Sequence, residues 1–340
     1  MKRLNVLITS VGRRNYIVEY FREALGSKGE VIVTNSVADS AGMYAARHRY
    51  VVPEWGSRDY VPRLLAICRK HSVRLMLSLM DQDSIVLSRA RIRFEELGIT
   101  VAISRPETLE LTFDKLKSGR FLREQGIASP ATVELRRDSV ETIRKAGLRY
   151  PVLLKPRFGT GSLFTAVAES DDELRFLASR LSRQLPNSYL INTFIDGTPN
   201  RIVVQEFVEG VEFDLYVLND FAGNYITTFV IRKNAMRSGE TDSAGTTSSP
   251  ELRALGKKLS DCLGHTGVMD VDLFRTGQGK YVVVDLNPRF GGGYPFIHVA
   301  GVDVPSCYLS WASGGNPRKE WLRMRRDVVS VKGLGILSQS

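Results

Sequence analysis

The stretch VMDVDLFRTGQGKYVVVDLNPRFGGG, residues 268–293, holds two apolar runs that carry acids and are separated by a turn-prone segment. Read as a β-hairpin, it takes a two-residue turn at Gln278-Gly279, where glycine adopts the positive φ such turns need. That register sets Gly277 opposite Lys280, Asp272 opposite Asp285 and Asp270 opposite Asn287. Val271, Leu273, Val284 and Leu286 then share the other face. One register thus sorts the hairpin into a greasy face and an acidic one, and a one-residue slip would mix them.

The acidic face needs a reason to exist. Like charges directly opposed on neighbouring strands destabilise a sheet. A divalent cation removes the penalty, and Mg²⁺ is commonly held by one or two carboxylates together with phosphate oxygens and water. Asp272, Asp285 and Asn287 form such an oxygen set, and Arg289 follows two residues on, where it can meet a phosphate or carboxylate. The plain alternative is a solvent-facing acidic strand with no ligand.

A second signal lies at PVLLKPRFGTGS, residues 151–162. Lys155 ends an apolar strand, and Gly159-Thr160-Gly161-Ser162 follows. Glycines let backbone N–H groups approach an anion closely, and a lysine at a strand end adds a fixed positive charge. The spacing is not that of a Walker A loop. Taken alone, an ordinary β-turn explains it equally well.

The first hundred residues alternate short apolar runs (NVLITS, EVIVTN, RLMLSLM, ITVAIS) with amphipathic segments. This α/β texture implies βαβ units and a parallel sheet, with ligands beyond the carboxyl ends of its strands. The polar residues at those ends are Ser10 to Arg14, Asn35 and Asp81 to Asp83; no GxGxxG is present. Farther on, a helix is expected to end at Gly126, and another to start with a capping box from Ser170 to Glu173. A third takes Ser249 as N-cap and Pro250 as its first residue, with Leu252, Leu255 and Leu259 on one face. RIVVQEFV and EFDLYVL read as strands, the polar segment 237–250 as a mobile loop, and RKEWLRMRRD (318–327) as a solvated amphipathic helix.

Composition narrows the classes. Hydrophobic residues make up 43% and charged residues 25% of 340, ordinary for a globular protein. No apolar run reaches the ~18 residues of a membrane span. MKRLNVLITSVGRRN is read as a first strand, because its apolar stretch is shorter than the ~7 residues of a signal core. Cys68, Cys262 and Cys307 lie far apart, which points to a reducing cytoplasm and away from a disulfide framework or structural zinc. The net charge of +10 favours an anionic partner. No interleaved aromatic-basic pattern supports nucleic acid, and a phosphate-bearing small molecule accounts for the charge equally well.

Taken in order, Asp114-Lys115, LLKPRFGTGS, VVQEFVEGVEF and Asp272 with VDLNPRFGGG resemble the ATP-grasp superfamily. The resemblance is to its branch of carboxylate-amine ligases similar to the carbamoyl-phosphate synthase large subunit. It covers most of the chain and implies an ATP-grasp fold behind a Rossmann-like pre-ATP-grasp domain. That gives residues 1–111 as the Rossmann-like domain, 112–200 as the small subdomain and 201–340 as the large subdomain, α+β in character, with the metal site. It further implies that Lys115 and Lys155 contact ATP phosphates while the loop Gly159, Thr160, Gly161, Ser162 closes over them. Glu206, Phe207 and Val208 would face adenine, and Glu212 the ribose. Asp272, Asp285 and Asn287 would hold one or two Mg²⁺, with Mn²⁺ an acceptable substitute. Arg289 would stabilise the transferring phosphoryl group. Lys233 and Arg237 are candidates for the γ-phosphate or a substrate carboxylate. The family most often has Glu where this chain has Asp285, one methylene shorter, which implies a weaker second metal or a water in the gap.

The activity so implied is ligation through an acyl-phosphate of a carboxylate, amino-acid or peptide-like, to an amine or a thiol. The partners are small molecules, with no membrane, and a homodimer is allowed. Alternatives are a bicarbonate-phosphorylating enzyme, disfavoured by the lack of a duplicated half or glutaminase segment, and a non-catalytic ATP-binding regulatory subunit. Specificity is expected from Ser10 to Arg14, Asp81 to Asp83, and Gly291 to Tyr294.

Overall fold

The computed structural model describes residues 3–136, 138–188, 190, 197, 201–237, 239–333, 335 and 337. Among them the chain builds three sheets. The first is parallel: β1 (Asn5–Thr9), β2 (Val31–Asn35), β3 (His48–Val51), β4 (Val73–Ser78) and β5 (Thr100–Val101), in the order β3-β2-β1-β4-β5. Helices at Asn15–Leu25 and Tyr60–Lys70 cross over between strands and bury the apolar stripes Ile17, Val18, Phe21 and Leu64, Leu65, Ile67. The strand order reverses between β1 and β4, so the expected ligand crevice lies beyond their carboxyl ends.

Asp83 fixes that switch point. It is fully buried and accepts from the hydroxyls of Thr9, Ser10, Ser78 and Tyr60 at 2.5, 2.8, 2.8 and 2.6 Å. Ser10 and Asp83 were expected to set specificity; here they tie the two central strands together.

The second sheet is antiparallel: β6 (Thr132–Glu134), β7 (Val152–Pro156), β8 (Ala166–Ala168) and β9 (Ile202–Glu206), in the order β6-β9-β7-β8. It therefore draws on both sides of residue 200, while residues 137, 189, 191–196 and 198–200 of the expected 112–200 unit lie outside the described residues. Helix Asp171–Gln184 covers it with Leu174, Ala178 and Leu181. Ser170 caps that helix by accepting from the Glu173 N–H, as expected, but the Glu173 carboxylate accepts from the N–H of Glu169.

The third sheet orders β10 (Val211–Asn219), β11 (Tyr225–Arg237), β12 (Glu240–Thr247), β13 (Val268–Arg275), β14 (Tyr281–Asn287) and β15 (Val329–Val331) as β14-β13-β10-β11-β12-β15. Its apolar face packs under helix Pro250–Leu263, capped by Ser249 as expected; Leu252, Leu259 and Leu263 join Leu215, Val217, Met269, Val271 and Leu273 in one core.

Two expectations are corrected. Segment 237–250 is not a loop: β12 runs through most of it, paired with β11 and β15, while Ser238 lies outside the described residues. Its hydroxyls are the reason. Thr246 donates to the Arg325 carbonyl at 2.8 Å and accepts from the Val328 N–H at 3.0 Å. Segment 318–327 holds only a 3₁₀ turn at Lys319–Leu322. Its backbone is engaged elsewhere: the Trp321 carbonyl accepts from the Asp303 N–H, and the Arg325 N–H donates to Ala300.

Replacing Asp83 by Ala would remove the shared acceptor of four hydroxyls and leave that of buried Tyr60 without its partner. The expected loss is about 3 kcal/mol or more of unfolding free energy, read by urea denaturation; a loss below about 1 kcal/mol would contradict the assignment.

Candidate active site

The hairpin of β13 and β14 pairs Asp272 with Asp285 and Asp270 with Asn287, as expected, but not by the expected turn. The turn is longer: the Thr276 N–H donates to Lys280 and the Gly279 N–H to Thr276, with Gly279 at φ 82°. Arg275 therefore faces Tyr281, and a bulge at Val284 restores the register before the acids. The bulge turns Val284 into the cleft and gives Val283, whose N–H donates to Ala128 at 2.9 Å, to the apolar core. Val284 is thus not on the greasy face.

β10 lies on the far side of β13, with Asp214 opposite Asp272 and Tyr216 opposite Asp270. Three carboxylates, Asp214, Asp272 and Asp285, consequently share one rung across three adjacent strands. The next rung is Tyr216, Asp270 and Asn287.

Lysines answer the carboxylates. Lys115, the first residue of helix Lys115–Glu124, donates to Asp285. Lys233, on β11, lies 2.6 Å from Asp272, 2.8 Å from Asp214 and 2.7 Å from Glu212. Burial opposes its charge, but Asp272, Asp214 and Glu212 together hold it protonated above the ordinary lysine range. Burial likewise opposes the Asp272 charge, but Lys233 brings its carboxyl below the usual range. Lys155, on β7, forms no ion pair among the described residues. Burial in the cleft and then the nearby Lys115 charge bring it down to about 8.

These groups line a cavity of about 500 Å³ between the second and third sheets. Gly159, Thr160, Gly161 and Ser162 close it on one side, and Glu206, Phe207 and Val208 on another. Glu206 is partly committed, since its carboxylate accepts from the Ala131 N–H at 3.1 Å and its own N–H donates to the Ala131 carbonyl. Glu212 reaches the cavity in the grip of Lys233.

Arg289 is buried at the junction with the parallel sheet. It donates to Asp81 through Nε and Nη2 at 3.3 and 3.2 Å, to the Phe290 carbonyl, and through Nη2 to Asn287 Oδ1 at 3.1 Å. The Asn287 amide nitrogen accordingly points at Asp272, at 3.3 Å; for Asn287 to offer its oxygen to a cation there, the amide must turn over and release Arg289. Arg14, from the loop after β1, lines the cavity and donates to the Leu79 and Phe290 carbonyls. Tyr294 is structural, with its hydroxyl accepting from the Val304 N–H.

Arg237 does not reach the cavity. It is half exposed and pairs across the β11–β12 hairpin with Asp242 at 2.6 Å. Strict strand alternation would put Arg237 on the face of Lys233; the bulged pairing between them breaks the alternation and carries Arg237 to the rim. Asp214 is the residue that the sequence reading missed. Glu212, Asp214 and Tyr216 do alternate along β10, but nothing local shows that β10 pairs with β13 fifty residues away.

The donor set fits a hard divalent cation. Each carboxylate of the rung already carries an ammonium where a cation would sit. Among the described residues no three His, Cys, Asp or Glu side chains form a metal cage by themselves, in keeping with a magnesium site completed by phosphate oxygens and water.

The segment that builds this arrangement is an ATP-grasp domain. Residues 112–293 match the family model of the ATP-grasp domain, residues 6–102 match that of the PylC-like N-terminal domain, and the chain belongs to the ATP-grasp family. It is 25% identical over 260 residues to the carbamoyl phosphate synthase large chain of Rubrobacter xylanophilus, covering 73% of this chain but only 23% of that one. It is 23% identical over 346 residues to the carbamoyl-phosphate synthase of Methanobrevibacter smithii, covering 96% and 82%. The solved L-amino acid ligase of Bacillus licheniformis superposes with a TM-score of 0.74 at 19% identity, over 96% of this chain and 79% of that one, a likeness of fold.

The Lys155 ammonium is charged below about pH 8 and neutral above it. ADP affinity, measured by calorimetry, should therefore fall several-fold as pH rises from 7 through 9, and Lys155→Arg should flatten the profile. A flat wild-type profile would contradict a phosphate role for Lys155.

Proposed function

We propose that the protein is an ATP- and Mg²⁺-dependent ligase that activates a small carboxylate as an acyl-phosphate and joins it to an amine. The observation that carries this reading is the three-carboxylate rung facing Lys115, Lys155 and Lys233 in a cavity closed by a glycine loop. The names of the relatives, carbamoyl-phosphate synthases, and of the structural neighbour, an L-amino acid ligase, support it.

In this mechanism the substrate carboxylate oxygen attacks the γ-phosphorus and the bond to ADP breaks. The amine nitrogen then attacks the acyl carbon, phosphate leaves with the C–O bond electrons, and the amine loses a proton. The protein's part is positioning and charge neutralisation. Asp272, Asp285 and, with its amide turned, Asn287 would hold a magnesium ion, which would supply neutralisation of the charge that develops on the phosphates.

Lys115 and Lys155 bind phosphate oxygens, and Lys233 passes from the acids to phosphate or substrate. Phe207 and Val208 offer backbone groups to adenine, with the Glu206 carboxylate at the edge, and Glu212 takes the ribose once released from Lys233. Arg289, anchored on Asp81 at the cavity wall, stabilises the transferring phosphoryl group. The loop of Gly159, Thr160, Gly161 and Ser162 excludes water, which would hydrolyse the acyl-phosphate.

The test is ADP release with Mg-ATP across a panel of amino-acid and carboxylate substrates, with hydroxylamine as a trap. Hydroxamate formation is expected, and Lys155→Ala should lower it at least about hundredfold while the variant stays folded by circular dichroism. Bicarbonate-dependent ADP release with no hydroxamate would replace this reading by bicarbonate phosphorylation. ATP binding without turnover on any substrate would point to a regulatory subunit.

A further inference from the structure

Lys115 and Lys155 reach the cavity from different layers, and the charges of the two ammonium groups oppose each other there. Something behind the cavity wall has to hold them together. Arg157, two residues after Lys155, stands in that place, and neither it nor Asp114 lines the cavity.

The Arg157 guanidinium grips Asp114 with a fork, Nε to Oδ1 at 2.9 Å and Nη2 to Oδ2 at 2.7 Å. Its Nη1 donates to Glu134 of β6 at 3.2 Å. Asp114 is fully buried and also caps helix Lys115–Glu124, accepting from the Leu116 and Lys117 N–H groups at 3.0 and 3.3 Å. The backbone makes the same junction. The Lys115 N–H donates to the Arg157 carbonyl at 3.1 Å, and the Arg157 N–H donates to the Arg201 carbonyl, just before β9, at 2.7 Å. The next residue, Phe158, is fully buried in the core of the parallel sheet and stacks on Phe113, with the guanidinium 5.3 Å from its ring. The glycine loop begins immediately after this anchor, at Gly159.

Stability alone does not call for such a pair. A buried ion pair gains little over apolar residues of the same volume, and its best attested use is to fix register. Asp114 would cap its helix with no guanidinium present. What the fork adds is geometry, because two parallel bonds set distance and direction together. Here they join the residue before Lys115 to the residue two beyond Lys155.

We infer that Arg157, through its fork on Asp114, is a positioning residue that holds the Lys115 and Lys155 ammonium groups side by side, so that both bind the phosphates of one nucleotide. Arg157 acts only through the two lysines and touches no substrate. The inference rests on the reading of those lysines as phosphate ligands.

The experiment measures dissociation constants of ADP and of adenosine, each with magnesium, for the full chain as wild type, Arg157→Lys and Asp114→Asn. Arg157→Lys keeps a positive charge beside Asp114 but loses the fork. Asp114→Asn keeps an acceptor for the helix cap while weakening the fork, and serves should the first variant not fold. The preference for ADP over adenosine should shrink about tenfold, with adenosine affinity little changed. The pH above which ADP affinity falls, about 8 in the wild type, should move upward as Lys155 leaves its packed place beside Lys115. A folded variant that keeps the wild-type preference and pH onset, or that loses ADP and adenosine alike, would overturn the inference, since a purely structural pair weakens the fold without touching the phosphate increment. Wild-type protein that binds ADP no tighter than adenosine would instead bring down the phosphate role of the lysines, and the ligase reading with it.

Discussion

Three carboxylates on one rung of an antiparallel sheet repel one another and cannot all stay charged without cations between them. Much of the molecule answers that demand. Lys115 comes from the start of a helix and Lys233 from the third sheet to pair with the acids, while Lys155 of the second sheet lines the same cavity, so separate layers meet at one point. The apolar underside of the same strands is sealed by helix Pro250–Leu263, which leaves the acids facing one way, into the cavity. In this form the lysines do what a metal and phosphates do in the proposed complex. Nucleotide binding is then an exchange of partners: a cation takes the carboxylates, and the released ammonium groups turn to phosphate.

The parallel sheet joins the site through Arg289. Its bond to Asp81, at the head of the helix after β4, fastens the end of β14 to the switch point between β1 and β4. Arg14, from the loop after β1, reaches the same seam. Arg14, Arg289, Gly292 and Gly293 thus line one end of the cavity, where the first and third sheets meet. Asp83, buried at the same switch point, ties β1 to β4 through Thr9 and Ser78.

Much of this was legible in the sequence where periodicity is local. The sorting of Val271, Leu273 and Leu286 from Asp272 and Asp285 gave the right pairing even though the turn was longer than expected, because the Val284 bulge cancelled the difference. Lys155 and the glycine loop were legible because strand, lysine and glycines are contiguous. What failed was non-local. Asp214 needed the pairing of β10 with β13, and β12 looked like a loop because serines and threonines that bond a distant C-terminal strand carry no hydrophobic signature. Arg237 was misplaced since its direction depends on bulges in β11–β12 pairing, and the charged run 318–327 lost its helix to backbone bonds with residues 300–303.

The central claim is that the rung is a site for a cation and phosphate together. It is tested most directly by calorimetric ADP binding with magnesium and with EDTA, in the wild type and in Asp285→Asn. Magnesium should tighten wild-type binding by about tenfold or more, and the gain should be lost in Asp285→Asn. Equal ADP affinity with and without magnesium in the wild type would contradict it.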